Sequence, residues 1–153
     1  MLKENSSYIY MNLIATFTIV ITLLAVTGKH GTFQPAGYVF GTIINQTGWP
    51  SNGYAFLLGL LSVQFTMTDY DATAHISEEI RRASIAAPVA IIIAVIGTGA
   101  TGFLLNVVLV LCSPDIASLP GATGLSMLEI IFEVTGKSGA LVLWVLVVSS
   151  AAL

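Results

Sequence analysis

Phe65-Thr66-Met67-Thr68-Asp69-Tyr70-Asp71 is the stretch on which the fold turns. It closes an apolar run of 14 residues, Tyr54 to Met67, and leads into Ala72-Thr73-Ala74-His75 before charge gathers at Glu78. Fourteen residues are too few to cross a bilayer, which takes roughly 20. A span of ordinary length from Tyr54 to about Ile76 sets Asp69 and Asp71 at or past mid-membrane. Carboxylates at that depth are expensive and mark a pathway or a relay. A continuous helix would carry them on an inner face. A broken helix would expose backbone N–H and C=O groups, tolerable in a membrane only where they line a cavity, and there they hold polar substrates. Two residues apart, Asp69 and Asp71 do not share a helix face, so their roles separate. A plainer reading makes the stretch a helix end entering the headgroups, and composition alone leaves both open.

The remaining sequence places that stretch in a membrane. Of 153 residues, 56% are hydrophobic and 8% charged, with a net charge of −3, and the mean hydropathy is +0.91. Soluble domains carry roughly 25% charged residues to cover their surface. Five Lys/Arg cannot supply the clustered cations of a nucleic-acid binder. Disorder is excluded by hydrophobicity. The lone Cys112 can form neither an intrachain disulfide nor a multi-thiolate metal site, and reads as a small apolar residue at a helix end. No metal or cofactor is implied.

Four hydrophobic segments follow. Residues 8–27 form a first spanning helix and 28–52 a loop holding Trp49, Pro50 and a possible helix cap at Ser51. An interrupted transmembrane helix takes 53–77, a short charged loop 78–85, and a third helix 86–112 with Pro88 in its first turn. Along that third helix Ala90, Ala94, Thr98, Gly102 and Asn106 recur every fourth position, the pattern of a close packing seam. Residues 113–137 read as a second loop with a short interfacial helix near Leu125 to Val134, and 138–153 as a truncated span. From Ala140 to Leu153 that last segment rises about 21 Å, short of the roughly 30 Å needed. A piece of a longer membrane protein is expected. Arg81-Arg82 in the short loop directs it and Lys3 to the cytoplasm, leaving 28–52 and 113–137 outside or in a lumen. The Asn45-Gln46-Thr47 triplet would then be open to glycosylation.

The runs Gly48-Trp49-Pro50-Ser51-Asn52-Gly53-Tyr54, Phe56-Leu57-Leu58-Gly59-Leu60-Leu61 and Thr66 through Ile80 resemble a known family. Ala87-Pro88 and Gly102-Phe103 fit the same pattern, and Asp71-Ala72-Thr73-Ala74-His75-Ile76-Ser77-Glu78-Glu79 is its most specific part. The chain is similar to the fungal amino acid/choline permeases, GABA and choline permeases among them, of the amino acid–polyamine–organocation superfamily. The resemblance implies an all-α integral membrane protein of about twelve helices in two inverted repeats, the leucine-transporter-like fold. This chain would be a fragment holding about the fifth to eighth helices. The sixth is interrupted near mid-membrane, which makes Thr66 to Tyr70 the unwound part.

The same resemblance implies roles. Phe65 matches an aromatic position that covers substrate from one side, and Thr66, Met67, Thr68, Asp69 and Tyr70 are the expected substrate-binding residues. Asp71 matches an acidic position tied to gating or coupling. Many members have Gly where this chain has Asp69, so the backbone break can differ here and a carboxylate is gained for a substrate amine. Glu78, Glu79 and Arg81 fall in the cytoplasmic loop. The broken first helix of the superfamily, which receives a substrate carboxylate, is not in this chain, so about half a site is expected. The implied function is secondary active transport of amino acids or related amines by alternating access, coupled to protons, in a plasma or vacuolar membrane. A small four-segment accessory subunit without transport activity is the alternative. An intramembrane aspartyl protease, suggested by Tyr70-Asp71, needs a second aspartate on an adjacent span, yet the third segment has no Asp or Glu and Asp115 lies beyond it. His75, beside Glu78 and Glu79, reads as an interfacial hydrogen-bonding residue more readily than as a proton relay.

Overall fold

The computed structural model describes residues 2–66, 82–119 and 121–151. Every regular element among them is helical: α1 Leu2–His30, α2 Ala36–Gly41, α3 Asn52–Thr66, α4 Ala83–Cys112 and α5 Ser126–Ala151, with a 3-10 turn at Ile116–Ser118. Three stretches are long and apolar enough to cross a bilayer: Ile9–His30, Ala83–Cys112 and Ser126–Ser150. The chain is an integral membrane protein. Several hydroxyl side chains inside these helices are satisfied locally. Thr16 and Thr18 donate to the carbonyls of Asn12 and Ile14 at 2.9 and 2.7 Å, and Thr98 and Thr101 donate to Ala94 and Gly97 at 2.7 Å. Such back-bonding to the preceding turn lets a hydroxyl sit among lipid chains without an unmet hydrogen bond.

Two compact units result, residues 1–42 with 104–153 and residues 43–103. In the first, α1 packs against α5. Ala15, Ile19, Leu23 and Thr27, four apart, form the buried stripe of α1, while Ile14, Phe17 and Ile21 face outward. Leu23 and Ile131 are both 0% exposed, and the last turns of α4 add Val108, Leu109 and Cys112 to the same core. Lys29 and His30 stand in the last turn of α1, where cations suit the negative end of the helix dipole. Gly31 follows at φ 66, and Thr32 N–H reaches back to the Thr27 carbonyl at 3.4 Å, a glycine-dependent helix stop.

The far end of this unit is stitched by residues the sequence did not single out. Gln34 donates its backbone N–H to Leu111 O at 2.9 Å and its side-chain Nε2 to both Ser113 O and Pro114 O at 2.9 Å. The Tyr38 hydroxyl, on α2, accepts the Ile116 N–H at 3.3 Å. Within residues 28–52, read above as a loop, Ala36–Gly41 forms the short helix α2.

One expectation is corrected. α4 opens at Ala83, so Pro88 lies inside the helix and not in its first turn. The Arg82 carbonyl accepts the N–H groups of both Ile85 and Ala86 at 3.0 Å, with Arg82 itself at φ 58. Proline lacks the N–H that would bond four residues back, leaving the Ser84 carbonyl without that partner. α5 consists of two helical parts, residues 126–135 and 137–151, separated at Gly136 (φ 72, ψ 179).

Candidate functional site

The second unit contains α3, the helix that leads into the candidate site. Ser51 stands just before it, and its carbonyl accepts Ala55 N–H at 3.2 Å, which makes Ser51 the capping position that the sequence suggested. From Asn52 to Thr66 the helix rises about 22 Å. Phe65 and Thr66 form its last two residues. Met67, Thr68, Asp69, Tyr70 and Asp71 lie outside the described residues, as do His75, Glu78, Glu79 and Arg81. What the structure fixes is therefore the approach to the site: a helix that delivers Phe65 and Thr66 at its end.

The described part of α3 is apolar on every side. Phe56, Leu57, Leu58, Leu60, Leu61 and Val63 are all exposed. At its first turns the Trp49 and Tyr54 rings lie 5.8 Å apart at 42° and, with Leu57, Leu58 and Leu61, line an open apolar hollow of about 310 Å³. Aromatic rings with a polar edge favour the membrane–water boundary, which fits Trp49 just outside the helix.

The loop leading to Trp49 is held by one side chain. Asn45 Oδ1 accepts the Thr47 N–H at 3.1 Å and the Thr47 hydroxyl at 2.7 Å. Asn45 Nδ2 donates to Trp49 O at 2.8 Å and to Asn52 Oδ1 at 3.3 Å. Trp49 N–H in turn reaches Thr47 Oγ1 at 3.4 Å.

Elsewhere Asp115 and Glu129 are engaged in turns. Asp115 Oδ1 accepts Ala117 N–H at 2.9 Å and caps the 3-10 turn, the geometry of a structural carboxylate. Glu129, in the first turn of the outer half of α5, takes the Thr123 hydroxyl at 2.8 Å and the Thr123 N–H at 3.3 Å.

Residues 1–153, the whole chain, match the amino acid permease family. The chain belongs to that family. It is 39% identical over 137 residues to an uncharacterized amino-acid permease of Schizosaccharomyces pombe, covering 86% of this chain and 25% of the relative. It is 36% identical over 149 residues to the choline transporter of Saccharomyces cerevisiae, covering 94% and 25%. A swainsonine transporter of Arthroderma benhamiae is 31% identical over 144 residues, covering 94% and 27%. The chain thus spans about a quarter of the length of these relatives. No solved structure matches it. Family membership accords with the resemblance in the 66–80 stretch and with three apolar spans among the described residues.

Proposed function

We propose that this chain is part of a secondary active transporter for amino acids or related amines, and that residues 65–71 hold its half of the substrate site. The observation that carries the reading is the unbroken family match over residues 1–153, within which the acid-rich stretch falls. The names of relatives, amino-acid permeases and a choline transporter, support an amine-bearing substrate. The residue types fit that chemistry. A cation is attracted to the face of an aromatic ring, which Phe65 and Tyr70 supply, and to a carboxylate, which Asp69 supplies. Thr66 and Thr68 add hydroxyls able to donate or accept. Asp71 takes the coupling role, exchanging a proton in each cycle while the two repeats rock around the bound substrate.

The test uses the full-length permease that contains this segment, in proteoliposomes with an imposed proton gradient. Asp71→Asn is expected to abolish gradient-driven accumulation while leaving substrate exchange. Asp69→Asn is expected to raise KM for a cationic amine by about tenfold, the loss of one charge-assisted contact. Intact gradient-driven uptake in Asp71→Asn would overturn the coupling role.

A further inference from the structure

The Asn45-Gln46-Thr47 triplet has the form of a glycan acceptor, yet the Asn45 side chain is committed to Thr47, Trp49 and the first residue of α3. An asparagine amide has two N–H donors and an oxygen with two lone pairs. In Asn45 all four are used: Oδ1 by the Thr47 N–H and hydroxyl, Nδ2 by Trp49 O and Asn52 Oδ1. The orientation of the amide is not arbitrary. A backbone N–H must meet the oxygen and a backbone carbonyl must meet the nitrogen, so Thr47 N and Trp49 O fix which end is which. The nitrogen that would carry a sugar is thus the one that ties the loop to the first residue of α3. A glycosidic bond there would remove one of its two hydrogens and put a bulky group against Trp49 or Asn52.

We propose that Asn45, acting with Thr47, is a positioning residue that fixes where α3 begins, and that the Asn-x-Thr triplet serves this clamp instead of a glycan. The inference stands on the geometry of the loop and does not depend on the transport reading. Its consequence is mechanical. Trp49 is held on both sides, by its carbonyl to Asn45 and by its N–H to Thr47, so the turn through Pro50 and Ser51 reaches Asn52 in one register. The Trp49–Tyr54 ring pair across the first turn of α3 follows from that register.

The test takes the full-length permease from its native membranes and reads two things, neither requiring uptake. Endoglycosidase treatment followed by gel electrophoresis should leave the wild-type band unmoved. Hydrogen–deuterium exchange in lipid nanodiscs should show residues 45–55 exchanging about tenfold faster in Asn45→Asp and Thr47→Ala, the worth of about one net hydrogen bond. Thr47→Ser, which keeps the hydroxyl, should exchange as wild type. Residues 15–27 should be unchanged in every variant. An endoglycosidase-sensitive shift lost in Asn45→Asp would overturn the proposal. So would wild-type exchange over 45–55 in Asn45→Asp and Thr47→Ala, an equal rise over 45–55 and 15–27, or a Thr47→Ser that behaves as Thr47→Ala.

Discussion

Residues 1–42 with 104–153 bury a core, whereas the apolar side chains described in residues 43–66 and 82–103 are mostly open. On α1 the stripe from Ala15 to Thr27 meets Ile130, Ile131, Ala140 and Leu143 of α5. On α3 and the first part of α4, Leu57, Leu61, Ile92 and Ile96 are all more than half exposed, and Ala87 is the buried hydrophobic residue among those described there. Hydrophobicity does not separate the two regions. Lipid tails are as apolar as leucine, so helices associate in a bilayer through fit and not through escape from water. The row of small residues on α4 sharpens the point. Ala94 and Thr98 are exposed, and a Cβ added at Gly97, Gly99 or Gly102 would meet nothing within 4 Å.

The largest expected effects come from the packed region. Leu23→Ala and Ile131→Ala in the full-length permease should each cost about 1–3 kcal/mol in thermal unfolding, the cavity share of the 2–5 kcal/mol typical of buried leucine or isoleucine truncation. Leu57→Ala should stay within about 0.5 kcal/mol if α3 faces lipid there. A cost for Leu57→Ala equal to that for Leu23→Ala would break the comparison, because it would show that the rest of the permease packs α3 as tightly as α5 packs α1.

The sequence made one of these regions far more legible than the other, and the reasons are physical. Length and apolarity identify spans without tertiary information, so α1, α4 and the membrane class could be read, whereas the family was read from the residue pattern of 48–80. Helix starts were harder. Pro88 is favourable in a first turn, but two N–H groups held by the Arg82 carbonyl begin α4 earlier and leave the proline inside. The stitches of Gln34 and Tyr38 join positions nearly 80 apart, and no local periodicity reports a hydrogen bond of that kind. Of the candidate site, Phe65 and Thr66 close α3, while the roles given to Met67 through Asp71 rest on residue chemistry and family likeness.

A second effect, of similar size, tests the break in α5. Gly136 at φ 72, ψ 179 occupies a conformation that is essentially closed to residues with a Cβ. Gly136→Ala should therefore cost about 1–3 kcal/mol, measured as above. Three residues on, a Cβ at Gly139 would lie 2.6 Å from Thr135 Cβ, and that atom sits too close to the backbone to swing away. Thr135 is moreover tied to Ile131 O at 2.7 Å. Gly139→Ala should shift the outer half of α5 and loosen Ile131 from the core. If both substitutions are neutral, α5 is not broken at this point in the full-length protein.

The smallest expected effect comes from a polar group inside the packed region. Thr27 is 2% exposed, and its hydroxyl neighbours the Cys112 thiol, a weak hydrogen-bonding group, with no full hydrogen bond to it or to another group among the described residues. Thr16 and Thr18, a few turns earlier, satisfy theirs on the preceding turn. A buried hydroxyl without a good partner costs more than an isosteric methyl, so replacing it removes a penalty and leaves no hole. Thr27→Val should be neutral or stabilising by up to about 1 kcal/mol. A loss of that size instead would mean that the hydroxyl has a strong partner, a bound water or a group from the rest of the permease.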